Sequence, residues 1–551
     1  YDRWLVALSR GGADATVVRE WDLPSRSFVT DGFVLVEAKQ DVSWIDRDAI
    51  WVGTDAGPGS LTDSGYPRTV RRWARGTALA DAPVVIEGSP SDVLVVVERD
   101  DTPGFVRDIA TRVIDFYTAE RRLIGADGRS TPIEVPDSAE VRLVREHLLV
   151  ELREAWAVGG RTWPAGALLA IGLDAFLAGD RSFEPLYEPT PTSSLAAIVP
   201  TRTRIVLDIL DDVRHRLEVR IPGPGGWRAE PFPGVPGMAS VAVRAVDADG
   251  SDDCFLTVTD WVTPSSLFLA RPGEPPALLR RLPDAFDASG HEIVQRFATS
   301  ADGTRVPYFL VRPRDLVADG RAPTLLYGYG GFEVALTPAY NPMVGHAWLA
   351  AGGVYAVANL RGGGEYGPTW HSGAVKAGRR HVHEDLAAVA DDLVATGVTS
   401  PGRLGVMGRS NGGLLVGNAI TLLPDRFGAA VCEVPLLDMR RYHRLLAGAS
   451  WMAEYGDPDD PDEWAFIRTW SPYHNVPAGT PCPPTIILTS TRDDRVHPGH
   501  ARKMAARMRE LGHEVRYFEQ LEGGHPGAAD NRALSTTRAL AWWFLRERLI
   551  G

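Results

Sequence analysis

Near residue 285 the periodicity of the chain changes, and that change limits the available folds more than any other feature. Before it, short strand-like runs follow one another: "DRWLVALSR" (2–10), "SRSFVTDGFVLV" (25–36), "DAIWVGTD" (48–55), "SDVLVVVE" (91–98), "AEVRLVREHLLVELR" (139–153), "SLAAIVPT" (194–201) and "HRLEVRI" (215–221). Turn-forming clusters such as "GGADA", "DAGPGS" and "PGPGG" separate them. Many short strands at fairly even spacing predict a sandwich, barrel or propeller. A sandwich of this size would be large, so a β-propeller with four-stranded blades is expected over residues 1–284. The repeat is too degenerate to count the blades.

After residue 285, strands alternate with helices. "VPYFLVR", "PTLLYGYG", "GGVYAVANL", "RLGVMG", "AAVCEV", "PTIILTS" and "EVRYFEQ" read as buried strands, with helices clearest at 383–396, 412–423, 499–512 and 532–548. This alternation predicts a doubly wound, mostly parallel sheet over residues 285–551, an α/β fold that binds ligands at the carboxyl ends of its strands. A chain of 551 residues is long enough for two such cores.

With 58 Lys plus Arg against 71 Asp plus Glu, the net charge of −13 argues against nucleic acid as a partner. The basic clusters "RRWAR" (71–75) and "GRR" (378–380) read as solvated surface. No apolar run is long enough for a membrane span; "ALLAIGLDAFLAG" (167–179) is short and broken by Asp174. Three cysteines with no C-x-x-C pair fit a reducing compartment, and a cytoplasmic location is expected. The oligomeric state is left open, a monomer being one reading.

The chemistry concentrates at "VMGRSNGGLLVGNAI" (406–420), where Gly408-Arg409-Ser410-Asn411-Gly412 satisfies G-x-S-x-G between a strand and a helix. Small residues two places either side of the serine let strand and helix meet at a sharp corner, which projects the hydroxyl. The helix then aims its free amides at any oxyanion formed there. A serine needs a base, and the base an orienting carboxylate. In this fold class they follow in the order Ser, Asp or Glu, His. "TRDDRVHPGH" supplies Asp493 and Asp494 just beyond one strand, and "LEGGHPG" supplies His525 just beyond the next.

These stretches, with "LLYGYGGF" (325–332), "ANLRGGGEYGPTWH" (358–371), "WMAEYG" (451–456), "SPYHNV" (471–476), "DDRV" (493–496) and "GGH" (523–525), resemble the prolyl oligopeptidase family of serine peptidases. The strand-rich half is similar more loosely, through its strand pattern and "GPGSLTDSGYP" (57–67). The resemblance implies an α/β-hydrolase domain preceded by a propeller that limits access to short peptides. It implies Ser410 as nucleophile, His525 as general base and acid, and Asp493 rather than Asp494 as the orienting carboxylate. Tyr329 and the amide of Asn411 would hold the oxyanion. Trp451 would stack on a substrate proline, Phe332, Tyr455 and Val496 would line the same pocket, and Arg495 would bind a substrate carbonyl. No cofactor or metal is implied.

The expected reaction is therefore hydrolysis of short peptides through an acyl-enzyme, after proline. The alternatives are a related peptidase or esterase of aminopeptidase or acylaminoacyl-peptidase type, or a non-catalytic propeller interaction protein. Departures from the family pattern are Arg409 and Pro526, where glycine is common, and Pro435 and Leu436 near the pocket. The family usually has terminal helices and seven blades; with Tyr1 first, an incomplete N-terminal part is expected.

Three motifs are set aside. "GGGEYG" (362–367) fits a dinucleotide fingerprint, but Pro368, Trp370 and His371 are expected to continue as loop. The rings of "HVHE" (381–384) fall on different faces of a helix and lack a third metal ligand. "DPDDPDE" (457–463) has prolines where a calcium loop needs its glycine turn, and is expected to be loop.

Overall fold

The computed structural model describes residues 2–125, 128–232, 234 and 237–551. Among the described residues the strand-rich half folds into six four-stranded antiparallel sheets in chain order, spanning 3–38, 41–87, 94–132, 140–187, 193–231 and 240–281. A separate two-stranded hairpin, Trp156–Val158 with Arg161–Trp163, projects from the fourth. The sheets are the blades of a propeller, and the alternation of their strands explains how they stack. Leu207 and Ile209 in the fifth blade face Leu149, Leu168 and Ala170 of the fourth. Val206, with the opposite parity, faces Val241 and Leu256 of the sixth. Each central strand thus feeds two inter-blade cores, which is why these runs are apolar at nearly every position.

The other half is built on one eight-stranded sheet: β1 (His291–Thr299), β2 (Arg305–Pro313), β3 (Thr324–Gly328), β4 (Val354–Ala358), β5 (Leu404–Arg409), β6 (Ala429–Glu433), β7 (Thr485–Ser490) and β8 (Val515–Gln520). Their spatial order is β1-β2-β4-β3-β5-β6-β7-β8; β1 and β2 pair antiparallel with their neighbours, and β3 to β8 pair parallel. Helices α1 (Arg380–Ala395), α2 (Asn411–Leu422), α3 (Gly499–Glu510) and α4 (Asn531–Leu549) cover the sheet. Val406, Ala430 and Ile487 face a core shared with α1, α2 and α3. Met407, Val431 and Ile486 face the opposite core, closed by Trp542, Leu545 and Leu549 of α4. Helix α2 is buried all round, from Asn411 to Thr421, so its sequence carries no polar stripe.

Some local expectations fail. Pro368–Ser372 is a short helix rather than loop, with Pro368 at its first turn where a missing N–H costs nothing. Pro461–Ile467 is also helical, capped by the Asp460 carboxylate, so only the first part of "DPDDPDE" is loop. The "GRR" cluster is not solvated throughout: Arg379 is fully buried. In "RRWAR", Arg75 is half-buried and paired with Glu20. Among the described residues no helix is long and apolar enough to cross a membrane.

The two halves meet through specific polar contacts. Asp494 accepts from the amides of Asp14 (2.9 Å) and Ala15 (3.0 Å), and Gly524 N donates to Gly11 O (2.8 Å). Deeper in, Tyr366 donates to Asp212 (2.8 Å) and Ser194 to the Glu365 carbonyl (2.9 Å).

Candidate active site

Strand β5 ends at Arg409 and α2 begins at Asn411, leaving Ser410 alone on the corner with φ +58° and ψ −118°. A non-glycine residue pays about 1–3 kcal/mol for such backbone, so the surroundings must enforce it. They do so by close approach. A Cβ on Gly408 would lie 2.2 Å from the Gly412 carbonyl oxygen, and one on Gly412 would lie 2.8 Å from that of Gly328. Ser410 N is fixed by donating to Glu433 O at 2.9 Å.

His525 and Asp493 reach this corner from the ends of β8 and β7. Ser410 Oγ lies 3.1 Å from His525 Nε2, and His525 Nδ1 lies 2.7 Å from Asp493 Oδ2. The other carboxylate oxygen, Oδ1, accepts from the amides of Arg495 (3.0 Å) and Val496 (2.8 Å), so the side chain is held from both sides. Asp493 is 3% and His525 5% exposed. The neighbouring Asp494 turns to the propeller instead, as described above. Arg409 reaches across to donate to the His525 carbonyl and lies 4.0 Å from Glu433, which Arg538 of α4 also holds. The departure at position 409 thus ties the histidine loop to the body of the sheet.

The Asn411 N–H opens α2 and is one of the donors that a helix leaves without an internal acceptor. The Asn411 side chain is a staple: Nδ2 donates to Tyr329 O (2.7 Å), while Oδ1 accepts from the Tyr455 hydroxyl (2.8 Å) and from Arg379. It thereby fixes the backbone of Tyr329 beside the serine. Burial pushes the Tyr329 phenol up to about 12, so its O–H stays a donor at neutral pH.

Trp451, Tyr455 and Val496 come together in one buried apolar cluster with Leu414, Leu436 and Met439, and Phe332 packs against it. Phe332 meets Tyr455 edge-on at 5.5 Å and Phe116 of the third blade at 5.1 Å. Arg495 stands at the rim, its Nε and Nη2 taken by Asp14 at 2.9 and 2.7 Å.

One buried charge network escaped the sequence reading. Glu454 is fully buried and accepts from Arg379 (2.8 Å), from the Phe332 amide (3.2 Å) and from Tyr117 of the third blade (2.5 Å), and it meets His371 Nε2 at 2.7 Å. Burial alone would raise its carboxyl; the His371 hydrogen bond and the Arg379 charge hold it below its ordinary value. An acidic residue inside the otherwise apolar "WMAEYG" was the available signal. The network supports Phe332 and Asn411 at once and joins both halves of the chain.

Among the described residues no hydrogen bond joins the motifs set aside to Ser410. His381 bonds the Gly373 carbonyl, and buried His383 is pushed down to about 3 by desolvation. His443, Asp457 and Asp459 bring ligand atoms within 4.8 Å of one another, with Asp459 bonded to His443 (2.9 Å) and Arg444 (2.6 Å).

The model of the prolyl oligopeptidase family matches residues 343–548. An uncharacterized peptidase of Sinorhizobium fredii is 41% identical over 99% of this chain and 76% of its own length. A prolyl endopeptidase of Elizabethkingia miricola is 40% identical over 46% of this chain and 36% of its own. Among solved structures, a post-proline cleaving enzyme from Rickettsia typhi superimposes with a TM-score of 0.95 at 29% identity, covering 100% of this chain and 82% of that one. The chain belongs to the prolyl oligopeptidase family of peptidases.

Proposed function

We propose that this peptidase hydrolyses short peptides by acyl transfer to Ser410, on the carboxyl side of proline, with residues 285–551 catalytic and residues 1–284 limiting access. The observation that carries the reading is the continuous relay from Asp493 through His525 to Ser410, at 2.7 and 3.1 Å. His525 takes the serine proton as Oγ attacks the carbonyl and returns it to the leaving amine. Asp493 keeps Nδ1 protonated and stabilises the imidazolium. The Asn411 amide and the Tyr329 hydroxyl receive the oxyanion; removing one such donor costs about 2.7–4 kcal/mol. Water then repeats the cycle on the acyl-enzyme.

Proline preference is supported by the apolar cluster of Trp451, Tyr455, Val496 and Phe332, whose side chains would form a slot with flat apolar walls. A proline ring fits such a slot because it needs no N–H partner and has little conformational entropy to lose. Asp14 takes Nε–H and one Nη2 hydrogen of Arg495, which leaves Nη1 to meet a substrate carbonyl. The likeness to a post-proline cleaving enzyme points the same way, and the free, buried cysteines suit a cytoplasmic enzyme. Fluorogenic peptides that differ only in the residue before the cut test the specificity. Proline should exceed alanine in kcat/KM by about a hundredfold, the scale on which an apolar pocket discriminates. Equal values, or cleavage only of free-amine or acylaminoacyl substrates, would replace this specificity with one of the alternatives above.

A further inference from the structure

Between the fourth, fifth and sixth blades and the hydrolase half lies a cavity of about 450 Å³. It begins one residue beyond the apolar slot: Phe332 packs against Tyr455, and Glu333, the next residue, lines the cavity. Its charged lining is mostly acidic, with Glu140, Glu151, Asp208 and Glu333 against Arg153, and His215 beside them. Most of these groups are already paired. Arg153 donates to Glu333, Arg121 to Glu140 (2.8 Å), and Asp208 bonds His215 Nδ1 at 2.8 Å.

Two acceptors remain. The Glu151 carboxylate has no side-chain partner among the described residues. It stands directly opposite Glu140 in an antiparallel pair, where like charges destabilise a sheet. His215, with its side chain 7% exposed, meets Asp208 through Nδ1, and its Nε2, a lone pair in a neutral imidazole, is buried with no hydrogen-bond partner among the described residues. An orphaned acceptor in such a place calls for an N–H or O–H donor from outside the fold.

We infer that this cavity is a subsite for a cationic group of the substrate peptide, an ammonium or guanidinium lying N-terminal to the cleaved bond. It rests on the peptidase reading only in taking the ligand to be a peptide. The cation offers hydrogens to Glu151 and His215 and places a positive charge against a mostly acidic lining. Burial, with Glu333 and Glu140 adding to it against Arg142 and Arg153, lifts the Glu151 carboxyl to about 7, the mark of an acid without its partner. The volume suits a lysine or arginine side chain together with part of the extended backbone that carries it.

The test uses the full chain carrying Ser410→Ala, so that binding is read without turnover. Labelled, N-acetylated peptides with a single proline carry lysine or norleucine at successive positions before it, and their affinities are measured by fluorescence anisotropy. At one position at least, lysine should bind about tenfold more tightly than norleucine. Glu151→Gln should bring that ratio close to one, while Glu151→Asp should keep part of it. Because the ratio is taken within one protein sample, partial unfolding lowers both affinities alike and cannot mimic the collapse. Equal affinities at every position, or a preference that survives Glu151→Gln, overturns the subsite. Turnover of a short neutral proline peptide by the unsubstituted enzyme tests the peptidase reading separately. Its failure, with the lysine preference intact, would remove that reading and leave the subsite standing.

Discussion

Ser410→Ala is expected to lower kcat by about a millionfold while leaving KM for a short proline peptide within a few-fold. That loss corresponds to about 8 kcal/mol of transition-state stabilisation. It is large because the relay acts as a unit: without Oγ, the 3.1 Å contact from His525 has nothing to deprotonate. The slot around Trp451 and the Asn411 amide stay in place, so binding and a residual acceleration over water survive. Alanine adopts the same corner at the same cost, and the melting temperature should not fall. The check is steady-state turnover together with a thermal melt. A variant retaining more than about 1% of activity would show that another nucleophile acts.

Asp493→Asn should lower kcat by about ten-thousandfold, through tautomer choice rather than loss of shape. Oδ1 already accepts from two amides, those of Arg495 and Val496. In the asparagine variant the carbonyl oxygen must occupy that position, and Nδ2 must then face His525 Nδ1. Two donors cannot share that contact, so the ring turns its other tautomer outward and presents Nε2–H to Ser410, where a lone pair is needed. Asp494→Asn is the internal control. Among the described residues its hydrogen bonds are to the Asp14 and Ala15 amides, which an asparagine oxygen can still partly satisfy, and kcat should change by less than about tenfold. The measurement is kcat/KM for both variants on one proline peptide. A larger loss at position 494 than at 493 would reverse the assignment of the pair.

What was legible in the sequence, and what was not, follows from where each signal resides. Strands β3 to β7 are buried at nearly every position, and such strands read as apolar runs. Strand β1 escaped notice because it lies at the sheet edge and carries His291, Glu292, Gln295 and Arg296 among its apolar residues. The blades could not be counted because strands such as Ser27–Phe28 and Ser130–Pro132 are too short to carry a period. At the site, the elbow and the two loops beyond β7 and β8 are local features, legible as turn chemistry. The roles of Arg379 and Glu454 are not. An arginine within "GRR" looks like surface until the fold sets a buried carboxylate 2.8 Å away, and that carboxylate lies 75 residues along the chain. Nor could Arg409 be read from its motif, since its partners, the His525 carbonyl and Glu433, are brought to it by other strands.

The proposed reaction depends on one hydroxyl being made nucleophilic by the groups around it, and an irreversible reagent reads that directly. The unsubstituted protein is incubated with a fluorophosphonate, digested, and mapped by mass spectrometry. One adduct per chain is expected, on the peptide bearing Ser410, with peptidase activity falling in proportion to labelling. Asp493→Asn should react far more slowly. An adduct at any other residue, or full inactivation with Ser410 unmodified, would contradict it.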